Sequence, residues 1–209
     1  MSYYWEQCDK KRFGQSLKWF ERRVFKQVSK GLEINSCLDI GGGAGGKFPV
    51  SRENYTLVEM DEEAIELFRQ KYPHGNIIKG DFLAIDFKQK YDLILMIQLT
   101  ADFECIKKAV LKAYSLLNYN GLLLFTVTNK NSYKGLLYRS DSYAYQASCY
   151  LLKEFLSRLD ATEIKYYGYG WLPFRRDSDS ILIPFLKWLD VVLGKLVSIS
   201  PWLLVVLRK

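Results

Sequence analysis

The chain has 209 residues, 49% hydrophobic and 25% charged, a length that fits one sizeable core but not two ordinary domains. Its four cysteines fall singly beside one histidine, so neither a disulfide framework nor a zinc site is implied and no metal is expected. The net charge of +7 suits nucleic acid, an anionic membrane surface or an acidic small molecule, and does not choose among them.

The opening residues, Met1 to Asp9, lack the basic-then-apolar order of a secretory signal, so a cytoplasmic, reducing location is expected. Leu17, Phe20, Val24 and Val28 recur at helical spacing within residues 13–30. Lys18, Arg22 and Lys26 share another face of that helix, which reads as solvated.

A short apolar strand, Cys37 to Ile40, then empties into a turn with glycine at positions 41, 42, 43, 45 and 46. Glycine tolerates positive φ and has no Cβ, so such a run lets backbone N–H groups approach a ligand at an entropic cost that packing alone does not justify. Two ligand classes fit. Gly41-x-Gly43-x-x-Gly46 has the spacing of the turn used by dinucleotide-dependent dehydrogenases. However, only Lys47 to Asn54 precede the next strand, Pro49 among them, which leaves little room for the helix that holds a pyrophosphate. Asp39 would also repel a pyrophosphate, whereas it suits a ligand with an ammonium and a sulfonium.

The second strand, Tyr55 to Asp61, ends in acids. Asp61 is placed to cap a helix over 62–72, with Arg69 and Lys71 in its last turn and Pro73 as its stop. His74, in the turn beyond, reads as a surface residue. A third strand leads into Gly80-Asp81-Phe82, and a fourth runs from Tyr91 to Gln98. Phe103, Ile106, Val110, Ala113 and Leu117 line one side of a covering helix over 102–117, and a fifth strand follows. This alternation predicts a parallel sheet with helices on both faces. Ligands of such sheets lie beyond the strands' carboxyl ends, where Gly41, Glu59, Asp81, Gln98 and Asn129 all fall.

Five segments carry a resemblance in order over residues 37–128: Asp39-x-Gly41-x-Gly43-x-Gly45, the strand ending at Glu59, Asn76 to Phe82, Tyr91 to Gln98, and Leu117 to Val127. Together they resemble the class I S-adenosyl-L-methionine-dependent methyltransferases. The resemblance implies a Rossmann-like α/β fold: a seven-stranded, mostly parallel sheet with helices on both faces and an antiparallel last strand. It also implies S-adenosyl-L-methionine as cofactor, with S-adenosyl-L-homocysteine as product. Gly41, Gly42, Gly43 and Gly45 would give the close backbone approach, Asp39 would orient the methionine ammonium through water, Glu59 beside Met60 would take the ribose, and Asp81 and Phe82 would hold the adenine. Gln98 completes the expected cofactor set. One departure from the family pattern is the shortened segment after the glycines, Lys47 to Asn54.

In that family an N-terminal helix covers the cofactor mouth, so residues 1–34 are expected to form a lid with Tyr3, Tyr4 and Trp5 near the site. The connection after the fifth strand lines the acceptor pocket, which makes Asn129, Tyr133 and Tyr138 the substrate candidates. A helix over 148–159 precedes a sixth strand at 161–169, and Trp202 to Lys209 is continuously apolar until its basic end, as a buried last strand should be. Between them lies an insertion, residues 170–201, with a helix expected from Pro184 to Ser198. Lys187, Asp190, Gly194 and Ser198 form one stripe of it and nearly everything else is apolar, an arc too wide for one buried surface. Protein on both sides, a second subunit, a membrane interface along 181–198 and a greasy acceptor are the candidate covers.

The whole chain is therefore read as one methyltransferase domain. The expected reaction is methyl transfer, at oxygen, to a small-molecule, sugar or lipid-linked acceptor. No residue is marked as the catalytic base that a hydroxyl would need. Gln98-Leu-Thr-Ala stands where amino-group methyltransferases of adenine or glutamine carry Asn-Pro-Pro-Tyr or Asp-Pro-Pro-Tyr. An RNA methyltransferase, recognisable by steep salt dependence, and a non-catalytic cofactor-binding scaffold are the alternatives.

Overall fold

The computed structural model describes residues 4–137 and 147–209. Two helices open the chain, α1 (Tyr4–Lys10) and α2 (Arg12–Val28). They are followed by β1 (Cys37–Ile40), β2 (Tyr55–Glu59), α3 (Glu62–Lys71), β3 (Asn76–Lys79), β4 (Tyr91–Met96), α4 (Phe103–Ser115) and β5 (Leu117–Thr128). The remainder is α5 (Tyr133–Leu137), α6 (Cys149–Leu156), β6 (Glu163–Tyr169), α7 (Ile183–Leu186), α8 (Leu189–Leu193) and β7 (Trp202–Arg208).

The seven strands form one sheet in the order β3-β2-β1-β4-β5-β7-β6. All lateral pairings are parallel except those of β7, which runs antiparallel to both β5 and β6. The strand order reverses between β1 and β4, and a crevice opens at such a switch point beyond the carboxyl ends.

Two hydrophobic cores lie on the two faces of the sheet, and the pleat sorts the residues between them. Leu38, Ile40, Ile94, Met96, Leu123 and Phe125 face α4 and α6. Cys37, Leu57, Leu93, Leu95, Leu122 and Leu124 face α2 and Phe68 of α3. Burial on both faces explains why β7 and the Leu93–Met96 part of β4 read as apolar runs. The helix starts follow from their caps: Asp61 accepts from Ala64 N at 2.9 Å, and Asp102 accepts from Cys105 N at 2.8 Å.

Three local expectations differ from the structure. The helix α5 arises in the connection after the fifth strand, a segment expected to be a loop. The single helix expected over 184–198 is broken into α7, α8 and a 3-10 turn at Val197–Ile199. The second break has a cause: the backbone of Gly194 packs against β6, its carbonyl accepting from Gly168 N at 3.0 Å, and a Cβ on Gly194 would lie 3.0 Å from the Gly168 carbonyl oxygen. Finally, Lys18 and Arg22 do more than solvate α2. Lys18 pairs with Asp9 at 2.8 Å, and Arg22 donates to the carbonyls of Lys47 at 2.6 Å and Gly46 at 3.4 Å.

Candidate active site

A cavity of about 670 Å³ opens at the switch point, within the range of small-molecule and cofactor sites. The glycine turn forms its floor. Gly41, Gly43, Gly45 and Gly46 all have φ between 59° and 72°, the left-handed region that side chains with a Cβ rarely adopt. Gly42 has an ordinary φ but a Cβ there would lie 2.4 Å from the Asp39 carboxylate. The turn can therefore fold back on its own strand end.

Glu59, at the end of β2, holds that turn. Its Oε2 accepts from Gly43 N at 2.9 Å, while Oε1 accepts from Met60 N at 2.8 Å and Asp61 N at 3.1 Å. Three of roughly four lone-pair sites are used, and the remaining capacity faces the cavity that Glu59 lines. Met60 is exposed beside it. On the far wall, Asp81 accepts from Leu83 N at 2.9 Å and Phe82 is buried. Lys112 of α4 fixes this wall by donating to the carbonyls of Phe82 at 2.7 Å, Leu83 at 3.0 Å and Ile85 at 2.5 Å.

Asp39 is almost fully buried at the edge of the cavity. Burial drives its carboxyl upward to about 6, against the hydrogen bond donated by the Tyr55 hydroxyl and the field of Lys47. Lys47 lines the same cavity, and burial lowers its ammonium in spite of Glu21 and Asp9 nearby. Among the described residues no carboxylate comes within ion-pair distance of Lys47 Nζ. The cavity thus presents an acid and a base in each other's field but not in contact. That donor set fits a zwitterionic amino-acid moiety, an ammonium beside Asp39 and a carboxylate beside Lys47.

Gln98 stands just past β4 in a left-handed conformation with φ 62°. The strain is offset locally: its N–H donates to Thr126 Oγ1 at 2.6 Å and its Nε2 to Glu21 Oε1 at 2.8 Å. Tyr169 donates to the same Glu21 oxygen at 2.8 Å. This buried cluster ties α2 to the ends of β4 and β6. Beyond it the cavity is walled by Glu6, Asp9, Lys18, Lys71, Tyr72 and Arg176. Asp9 bonds Arg176 at 2.9 Å, and Glu6 bonds Lys71 at 2.8 Å.

The structure brings Asp39, Gly41, Gly42, Gly43, Gly45, Glu59, Met60, Asp81, Phe82 and Gln98 to one cavity. It does not bring Asn129 or Tyr133 there. Asn129 is fully buried and donates to the carbonyls of Ser198 at 2.9 Å and Ser200 at 3.0 Å; the Tyr133 hydroxyl donates to the Trp171 carbonyl at 2.7 Å. Both anchor the insertion, which the sequence could not reveal because their partners lie 38 to 71 positions away. Tyr138, Tyr3 and the side chain of Trp5 lie outside the described residues. Sequence reasoning missed Lys47, Tyr55, Glu21, Asp9 and Arg176. For Tyr55 a signal existed, since β2 pairs in register with β1 and places it on the Asp39 face.

Residues 9–167 match the model of a methyltransferase domain family. The chain belongs to that family. Among solved structures, this methyltransferase is similar to the N-methyltransferase NodS of Bradyrhizobium japonicum in complex with S-adenosyl-L-homocysteine. The TM-score is 0.63 with 16% identity, over 96% of this chain and 89% of that one. A methyltransferase from Archaeoglobus fulgidus matches over 100% of both chains with TM-score 0.65 and 18% identity. The plantazolicin methyltransferase BamL, with a desmethyl-plantazolicin analogue and S-adenosyl-L-homocysteine, gives TM-score 0.65 and 17% identity over 97% and 88%. At these identities the likeness shows the fold. Among curated proteins, ribosomal RNA small subunit methyltransferase A of Chlorobium phaeobacteroides is 30% identical over 86 residues, 38% of this chain. The chain spans about a third of that relative's length, 32%. The methyltransferase uses S-adenosyl-L-methionine as its cofactor.

The buried Asp39–Tyr55 contact yields a stability prediction. At pH 7 the folded state holds Asp39 ionised against burial, and the Tyr55 hydroxyl is its direct donor. Tyr55→Phe removes that donor and should cost about 1–3 kcal/mol, read as a lower midpoint in thermal or urea unfolding. Because Asp39 has a folded value raised to about 6, its ionisation penalty disappears as pH falls through that value. The cost of Tyr55→Phe should therefore shrink toward pH 5; a loss that is the same at pH 5 and pH 7.5 would contradict this account.

Proposed function

We propose that this methyltransferase transfers its methyl group to a small-molecule, sugar or lipid-linked acceptor, at oxygen. The observation that carries the reading is the lining of the cavity: beyond the glycine turn it is walled by Glu6, Asp9, Lys18, Tyr72 and Arg176. α1, through Glu6 and Asp9, and the start of the insertion, through Arg176, thus add to the wall of the cavity, which suits a small acceptor better than a folded RNA.

When bound, the cofactor supplies an electrophilic methyl on a sulfonium; the acceptor forms a bond to that carbon as the carbon–sulfur bond breaks and a neutral thioether leaves. The protein's work is alignment, which supplies on the order of 7–11 kcal/mol in well-positioned cases. Glu59 takes the ribose hydroxyls on its remaining lone pairs, Asp81 and Phe82 hold the adenine, and Met60 lies beside the ribose. Asp39 orients the ammonium. Lys47, which the shortened segment delivers in place of a helix N-terminus, takes the carboxylate. Gln98 forms part of the same wall.

A hydroxyl must also lose its proton. Burial pushes the Asp9 carboxyl up, but Lys47, Lys18 and Arg176 outweigh it and hold Asp9 below its usual value, which makes it a weak base. Glu6 is held by Lys71 and by Lys10 at 3.7 Å. This pairing of both carboxylates favours a second reading, a neutral amine as nucleophile, since it needs no base to attack. The name of NodS as an N-methyltransferase lends it support.

Incubation with methyl-labelled cofactor and fractionated cell extract tests the proposal. Label is expected in the polar small-molecule or lipid fraction, with mass spectrometry assigning an O-methyl or an N-methyl group. Label confined to RNA would overturn it. For the cofactor's amino-acid end, Lys47→Met should weaken S-adenosyl-L-homocysteine by about tenfold to a hundredfold while leaving 5′-methylthioadenosine, which lacks that end, unchanged. Equal weakening of both would remove Lys47 from this role.

A further inference from the structure

The insertion is apolar on two sides. On the inner side Ile183, Leu186 and Val191 pack into the core, Asp190 is fully buried and accepts from Trp171 N at 2.8 Å, and the Gly194 carbonyl takes the Gly168 N–H. Lys187 lies 4.9 Å over the Trp19 ring. A second apolar stripe points outward. Ile181 (70% exposed), Phe185 (77%), Trp188, Val192 (70%), Leu196 and Ile199 recur at three- and four-residue spacing across the breaks between α7, α8 and the 3-10 turn. Isolated exposed hydrophobes are ordinary, but a continuous ridge of large ones marks an interaction surface.

The charges around the ridge choose its partner. Asp190 is the only acid between residues 181 and 209, and it is buried; the exposed acids just upstream, Asp177 and Asp179, are paired with Arg175, Lys11 and Arg12, so the ridge itself is flanked by Lys187, Lys195 and Arg23. Arg23 of α2 stacks 5.6 Å from Trp188, which itself packs on Trp19 at 5.0 Å. A symmetric contact with a second copy would set these cations against their own images on chains of net charge +7. RNA would welcome the cations but offers nothing to Phe185, Val192 and Ile199. An anionic lipid surface takes both: aliphatic and aromatic side chains enter the headgroup boundary, tryptophan sits at that boundary, and lysine and arginine meet the phosphates.

We propose that this ridge docks the protein peripherally on an anionic lipid bilayer, lying in the interface rather than crossing it. No helix among the described residues is long and apolar enough to span a membrane. The ridge begins shortly after Arg176, which lines the cavity and is bonded to Asp9. Phe13 N donates to the Ser178 carbonyl at 3.2 Å, and Arg12 N to Asp179 Oδ1 at 3.1 Å, fixing the start of the ridge to α2. Docking would bring the cavity mouth near the lipid surface. The inference stands apart from the acceptor reading, because vesicle binding needs no turnover.

Flotation with vesicles of phosphatidylcholine alone, and with about a third phosphatidylglycerol, tests it. Wild type should float with the anionic vesicles, bind the zwitterionic ones far less, and be released by high salt. A Phe185→Asp, Val192→Asp variant changes two exposed side chains and should lose binding about tenfold or more, while binding S-adenosyl-L-homocysteine as wild type does. Failure of wild type to bind anionic vesicles, or equal binding by the variant, would overturn the proposal. So would a concentration-dependent dimer that the same variant dissociates, which would assign the ridge to a second copy.

Discussion

One carboxylate holds the ligand-binding end of the sheet together. Glu59 receives the Gly43 N–H from the turn after β1 and the Met60 and Asp61 N–H groups from the turn after β2. Hydrogen bonds to a charged acceptor are worth about 1.5–3 kcal/mol each, so three of them fix two loops that would otherwise be free to part. The Gly41 N–H, donating to the Val58 carbonyl at 2.8 Å, extends the β1–β2 ladder up to the clamp. Asp61 is thereby delivered in extended conformation to cap α3. The cavity floor, the turn after β2 and the helix start are three consequences of one side chain.

The clamp explains how the fold manages with so short a segment after its glycines. A helix N-terminus there would supply N–H groups and a partial positive charge. Here Lys47 supplies a whole charge, and Arg22 of α2 grips the carbonyls of Gly46 and Lys47 so that the loop cannot drift. The N-terminal helices are therefore part of the site and not only its cover: Glu6, Asp9 and Lys18 line the cavity, and Glu21 fastens Gln98. The cost is a set of buried charges balanced mainly by one another, with Asp39 pushed up, Lys47 pushed down and Asp9 held low.

The parts of this architecture that were legible in the sequence are those with local causes. Strand and helix periods, the Asp61 cap and the Pro73 stop depend on neighbours a few positions away. The family likeness also rests on short segments in fixed order, so the sheet and its antiparallel last strand followed from it. What escaped depends on contacts between distant segments. Asn129 and Tyr133 looked like substrate residues because of their place after β5, yet their hydrogen bonds go to the insertion. Lys47 stood only as the first residue of the shortened segment, and the cavity around it reveals an unmatched charge. In the insertion the periodicity was visible but its sense was not: a polar stripe turned inward can be recognised only once Gly168 and Trp171 are seen to receive it.

Calorimetric titration of S-adenosyl-L-homocysteine into the wild type and into Glu59→Ala tests the central claim most directly, with circular dichroism confirming that both are folded. The account predicts binding to the wild type and its loss, by about a hundredfold or more, in the variant, because the substitution removes the ribose acceptor and releases the glycine turn together. No binding to a folded wild type, or undiminished binding to Glu59→Ala, would contradict it.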